Sequence, residues 1–139
     1  MFFPSLLITD DDTAFRETLC GVFQGRGFRI FSAADGEEAL KIVGQEDVHL
    51  VLLDMHMPRL TGLETMRRVK QFRSRLPCIL LSACLDDALV QQARLAEAFS
   101  VLAKPVSRLV ITNTVDHALR RIYGWPEELR DPQSGDSAP

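Results

Sequence analysis

Five side chains able to hold a cation or a phosphate each follow a short apolar run. Asp10 and Asp11 follow Ser5 to Thr9, Asp54 closes Leu50 to Leu53, Ser82 follows Cys78 to Leu81, and Lys104 follows Phe99 to Ala103. A single carboxylate in such a place has two readings, a turn or helix cap and a reactive or metal-binding group. Three carboxylates brought within a few ångströms of one another repel by roughly 1–4 kcal/mol per pair. A divalent cation that prefers oxygen offsets this, and Mg2+ suits a site of few carboxylates because it keeps waters and bridges to phosphate oxygens. The Ser82 hydroxyl adds a donor and the Lys104 ammonium a compact positive charge. Carboxylate nucleophile, charge neutralisation and oriented donors are the requirements of phosphoryl transfer to a carboxylate.

That chemistry needs elements that bring the five residues to one edge. Leu50-Val51-Leu52-Leu53 is apolar without alternation, the pattern of a strand covered on both faces, and Met57-Pro58 and Thr61-Gly62 break it before a helical period begins at Leu63. Ser5 to Thr9 reads as a first strand, followed from Thr13 by a helix with Ala14, Phe15, Leu19, Val22 and Phe23 at helical spacing, stopped by Gly25-Arg26-Gly27. Arg29 to Ala33 is the second strand, and Asp35-Gly36-Glu37-Glu38 opens a helix whose acidic first turn suits the helix dipole. Leu63 to Phe72 is the third helix, with a basic outer face of Arg67, Arg68, Lys70, Arg73 and Arg75 that reads as a solvated surface. Cys78 to Leu81 is the fourth strand, Leu85 to Leu95 the fourth helix and Phe99 to Ala103 the fifth strand. Ser107 caps a last helix that runs to about Tyr123 and stops at Gly124.

Five alternating strand and helix patterns predict an α/β fold, a doubly wound five-stranded parallel sheet with helices on both faces. Ligands of such sheets bind outside the carboxyl ends of the strands, where four of the five strands carry the polar groups named above. Capping alone explains the aspartates or Ser82 one at a time, but not a lysine beside them. The 139 residues suit one domain, and 46% hydrophobic with 25% charged residues is ordinary globular composition. A formal charge of −3 argues against nucleic-acid binding as the main function. Apolar runs are far too short to span a membrane, and Met1 to Pro4 lacks the features of a signal peptide, so a cytoplasmic protein is expected. The three cysteines, Cys20, Cys78 and Cys84, form no metal-ligand spacing and read as free thiols.

Asp10-Asp11, the run Asp54-Met55-His56-Met57-Pro58-Arg59-Leu60-Thr61-Gly62-Leu63-Glu64, Ser82-Ala83 and Lys104-Pro105 occur in the order and spacing of a known family. From Leu6 to Tyr123 the chain resembles the receiver domain of bacterial two-component response regulators, a flavodoxin-like fold with strand order 2-1-3-4-5. The resemblance implies that Asp54 accepts a phosphoryl group from a sensor histidine kinase or a histidine phosphotransfer protein. It makes Asp11 a direct Mg2+ ligand, Asp10 a ligand mainly through water, Asp54 both ligand and phosphoacceptor, and the His56 backbone carbonyl a further ligand. Ser82 hydrogen-bonds the phosphoryl group, Lys104 pairs with it, and the bond to Pro105 is cis. Asp12, just past the acidic pair, is left as a cap of the first helix. Two features depart from the common pattern. Val101 stands at the switch position, three before the lysine, where an aromatic is usual. His56 and Cys84 lie two residues past key positions, near the mouth of the site, with a solvent-facing loop residue the plainer reading of His56.

The expected function is therefore a phosphorylation switch of the surface formed by the fourth helix, fifth strand and fifth helix, with an unknown downstream protein as its target. That surface could also mediate a homodimer. Neither direct nucleic-acid binding nor membrane binding is expected, and the chain is not expected to be an enzyme. Alternatives are a Mg2+-dependent aspartyl-phosphate phosphatase or phosphotransferase, which would want a second carboxylate where His56 stands, and a receiver-like interaction module that no longer switches. Residues 1–124 read as the domain and 125–139 as a tail of disordered composition, with Tyr123 and Trp125 either packing back or meeting a partner; no output domain is expected within this sequence, which is either a protein that acts alone or a fragment of something longer.

Overall fold

A computed structural model describes residues 3–125. Along the chain lie β1 (Ser5–Thr9), α1 (Thr13–Gln24), β2 (Arg29–Ala33), α2 (Gly36–Gln45), β3 (Leu50–Asp54), α3 (Gly62–Phe72), β4 (Cys78–Ser82), α4 (Asp87–Leu95), β5 (Ser100–Ala103) and α5 (Arg108–Tyr123). The strands form one parallel sheet in the order β2-β1-β3-β4-β5, as expected.

Successive side chains of a strand point to opposite faces, and here both faces are covered. Leu7, Val51, Leu53, Cys78 and Leu80 pack with Ala39, Val43, Met66, Val69 and Ala93 of α2, α3 and α4. Leu6, Ile8, Leu50, Leu52, Ile79 and Leu81 pack with Leu19, Phe23, Ile111, Val115 and Leu119 of α1 and α5. Every residue of β1, β3 and β4 is buried. Each buried Leu or Ile contributes about 1.5–3 kcal/mol. With apolar residues on both faces, polarity holds the register only at the strand ends. A shift of one residue would draw Asp54 into the core as an unpaired charge, at a cost of several kcal/mol.

Five caps begin the five helices. Asp12, Asp35, Thr61, Asp86 and Ser107 accept from the backbone amides of Phe15, Glu38, Glu64, Leu89 and Val110, each cap worth about 1 kcal/mol. Asp12 and Ser107 act as read from sequence, and Gly124 ends α5 in the left-handed conformation at φ 70°. Three boundaries move by one or two residues. Helix α3 starts at Gly62, because Thr61 and Glu64 close a capping box around it. Helix α4 starts at Asp87, two residues after Leu85, because Asp86 is extended and caps it. Strand β5 starts at Ser100, although the Phe99 amide already donates to the Cys78 carbonyl at 2.8 Å.

The basic face of α3 is only partly a solvated surface. Lys70 Nζ donates to the Leu76 carbonyl at 2.8 Å, and Arg73 donates to the Val48 carbonyl at 2.9 Å, so both tie loops to the helix. Trp125 packs back on the domain, stacked on Tyr123 with ring centroids 4.2 Å apart. The rest of the tail expected over 125–139 lies outside the described residues. No helix among the described residues is long and apolar enough to cross a membrane.

Candidate functional site

Strand register places the site. Thr9 pairs with Leu53, so Asp10 and Asp54 leave adjacent strands side by side. Asp54 pairs with Leu81 and Ser82 with Ala103, which sets Ser82 and Lys104 each one residue further along the edge. The Lys104 amide donates to the Ser82 carbonyl at 2.8 Å, extending that ladder to the lysine itself. Glycine is required at position 62, where a Cβ would stand 2.3 Å from the Asp54 carbonyl oxygen.

Asp10, Asp11 and Asp54 each offer a carboxylate oxygen within 4.8 Å of the others, with Asp10 and Asp54 buried and Asp11 exposed. This hard oxygen set fits a cation such as Mg2+, with the exposed side open to water and ligand. Lys104 Nζ lies 2.8 Å from Asp10 Oδ2 and 2.9 Å from Asp54 Oδ1. Burial pushes the Asp54 carboxyl above its ordinary range, Lys104 opposes this, and the neighbouring Asp10 and Asp11 add to the rise. Burial also works against the Lys104 ammonium, but the bonds to Asp10 and Asp54 outweigh it and hold the lysine up. The site thus carries more negative charge than one lysine neutralises, which is the electrostatic demand a divalent cation meets.

Ser82 is fully buried, and its Oγ accepts from the Cys84 amide at 3.1 Å. Its other partner is the His56 ring, with Nε2 at 3.2 Å. His56 is an exposed loop residue in accord with its plainer reading, yet its imidazole reaches the sheet edge at Ser82. The Lys104–Pro105 peptide is cis. Val101 is half-buried and packs against the α2–α4 core cluster.

Two residues of α1 went unrecognised as neighbours of the site. Arg16 donates through a terminal guanidinium nitrogen to the Asp10 carbonyl at 2.6 Å. Phe15, read only as a core position, turns its ring to Lys104, whose Nζ is 4.3 Å from the ring centroid. Helical spacing placed Phe15 on the buried side of α1; nothing in the spacing distinguishes a core contact from one with a lysine 89 residues away. A cleft of about 800 Å³ is lined by Lys70, Arg75, Pro77, Ser100, His117 and Arg121 among others. It borders the starts of β4 and β5 and shares no residue with the carboxylate cluster.

Residues 6–116 match the family model of the response regulator receiver domain. The chain is 36% identical over 118 residues to the transcriptional regulatory protein AfsQ1 of Streptomyces coelicolor, an alignment covering 85% of this chain and 52% of that protein. This chain therefore spans about half the length of that relative. It is 35% identical over 105 residues to sporulation initiation phosphotransferase F of Bacillus subtilis, covering 76% of this chain and 85% of that protein. Among solved structures, the CheX-CheY-BeF3-Mg2+ complex of Borrelia burgdorferi contains a chain that superposes with a TM-score of 0.78 at 28% identity, covering 84% of this chain and 89% of that one.

Proposed function

The chain belongs to the response regulator receiver domain family, and from that premise we propose that it is the phosphoacceptor of a two-component phosphorelay, modified at Asp54. The observation that carries this reading is the convergence of Asp10, Asp11 and Asp54 around one point with Lys104 Nζ 2.9 Å from Asp54.

In the proposed reaction an Asp54 carboxylate oxygen attacks the phosphorus of a phosphohistidine. The new O–P bond forms as the N–P bond breaks, and the imidazole of the donor leaves with the electron pair and takes up a proton. Asp10, Asp11, Asp54 and the His56 carbonyl would hold Mg2+, which supplies neutralisation of the charge on the transferring group. Lys104 exchanges its pairing with Asp54 for one with a phosphoryl oxygen, and the Ser82 hydroxyl donates to another. The movement of these two residues biases the packing of α4, β5 and α5, the surface offered to a downstream protein. Val101 transmits it as a packed side chain. Exposed Leu95, Leu109 and Val110 on α4 and α5 support contact there with a partner or a second copy.

A sensor histidine kinase or histidine phosphotransfer protein is the proposed donor. The BeF3-Mg2+ complex of the Borrelia relative and the phosphotransferase name of the Bacillus one support the chemistry. The proposed setting is the cytoplasm, with no direct contact to nucleic acid or membrane and with signalling rather than turnover of a small substrate as its task. Acetyl phosphate with Mg2+ should label the wild type stoichiometrically and leave Asp54→Ala unlabelled. Stoichiometric labelling that survives this substitution would overturn the assignment, and turnover of a small phosphate ester would favour the phosphatase alternative.

A further inference from the structure

The Lys104 ammonium is held on three sides. Asp10 Oδ2 and Asp54 Oδ1 take two, at 2.8 and 2.9 Å, and the face of Phe15 takes the third, at 4.3 Å from the ring centroid. A cation this close to a ring face is attracted by the ring's quadrupole, and more strongly as the ion is withdrawn from water. The Lys104 side chain is 20% exposed, so the interaction is partly protected from solvent.

The backbone that carries the ring is itself fixed by the acidic run before it. Asp12 Oδ1 accepts from the Phe15 amide at 3.2 Å, and the Asp12 amide donates to Asp10 Oδ1 at 2.9 Å. The next residue, Arg16, donates its backbone amide to the Asp12 carbonyl at 3.0 Å and its side chain to the Asp10 carbonyl at 2.6 Å. The first turn of α1 and the end of β1 thus form a closed hydrogen-bonded unit that presents one aromatic face to one lysine. The third aspartate of the run, which holds no place in the carboxylate cluster, has a task in this unit as the cap that sets the ring.

We propose that Phe15 is a positioning residue for Lys104: its ring face holds the ammonium at the strand edge, so that the lysine stays in place when its pairing passes from the Asp54 carboxylate to a phosphoryl group. The proposal rests on the reading of Asp54 as phosphoacceptor. Leucine at position 15 would still exclude water and fill the α1–α5 core cluster, but it has no quadrupole. Tryptophan and tyrosine keep the ring face.

The test compares Phe15→Leu, Phe15→Trp and Phe15→Tyr with the wild type. One readout needs no phosphorylation: in the free protein the Lys104 ε-methylene resonances should be displaced upfield by the ring, and Phe15→Leu should return them to ordinary positions. The second is the rate of Asp54 labelling by acetyl phosphate with Mg2+, which Phe15→Leu should lower about five-fold while Phe15→Trp or Phe15→Tyr restores it. Melting temperatures identify any variant whose loss is one of folding. The proposal is overturned if the ε-methylene resonances are unshifted in the wild type, if Phe15→Leu labels as fast as the wild type, or if correctly folded aromatic variants are as slow as leucine. Absence of labelling in the wild type would instead overturn the phosphoacceptor reading, and the resonance measurement would still report whether the ring holds the lysine.

Discussion

The imidazole Nε2 of His56 lies 3.2 Å from the hydroxyl of Ser82, joining the loop after β3 to the end of β4. The same hydroxyl oxygen accepts from the Cys84 amide, which leaves its proton for one acceptor. In the tautomer with Nε2 bare that acceptor is His56, and on the proposed reading a phosphoryl group at Asp54 would compete with it. His56→Ala should therefore speed acetyl phosphate labelling of Asp54 about two- to ten-fold, the worth of one hydrogen bond of about 0.5–1.5 kcal/mol. An unchanged or slower rate would show that the imidazole does not restrain Ser82.

Burial raises the Asp54 carboxyl above its ordinary value of 3.8. A group whose folded value is raised contributes stability in its protonated form, fully present below its unfolded value and lost as pH rises through the folded value. Once the pH has passed the folded value that contribution is gone, and the charged carboxylate costs the fold. Asp54→Asn should accordingly raise the melting temperature at pH 7 and flatten the loss of stability that begins above pH 3.8. Added Mg2+ should stabilise the wild type by about 1.4 kcal/mol at ten times its dissociation constant and the Asn variant much less. A lower melting temperature for Asp54→Asn would refute this.

Glycines 62 and 21 make opposite predictions for the same substitution. A Cβ at Gly62 would meet Asp54 O at 2.3 Å and Asp54 C at 2.9 Å, whereas one at Gly21 meets nothing within 4 Å. Gly62→Ala should destabilise by about 1–3 kcal/mol and slow labelling, because the obstacle is the backbone that carries Asp54. Gly21→Ala, inside α1, should stabilise by about 0.5–1 kcal/mol. Denaturant unfolding measures both.

Thiol reactivity should separate the three cysteines. Cys78 is fully buried and its thiol is pushed up to about 12 by burial, while Cys84 is exposed. Cys20 is half-buried and burial raises it as well. Iodoacetamide at pH 8 should modify Cys84 first and Cys20 slowly, with Cys78 reacting only on unfolding. Peptide mass mapping over a time course checks the order, and early loss of Cys78 would contradict it.

The elements that position the site were legible because each carries its own local signal. Apolar runs without alternation marked β1, β3 and β4, and the side chains of Asp12 and Ser107 marked helix starts through bonds to amides three residues on. Two local signals compete at the start of α4. Leu85 continues the apolar pattern of α4, but the extended Asp86 caps the helix and excludes it. Lys70 and Arg73 look like any surface cations until the loops whose carbonyls they bind fold back beside them.

By itself the sequence determined which residues end the strands, because the hydrophobic effect decides what is buried and a charge can remain only where the buried run stops. It therefore carried the fold and the convergence of Asp10, Asp11, Asp54, Ser82 and Lys104 on one edge. Only the tertiary structure decided which of these groups touch and what else reaches them. Lys104 meets Asp10 across 94 residues of chain, and His56 meets Ser82 across 26. Phe15 turns from a core position into a contact of the lysine. Such contacts depend on strand register and side-chain rotamers within a few ångströms, and no periodicity along the chain encodes a distance across it.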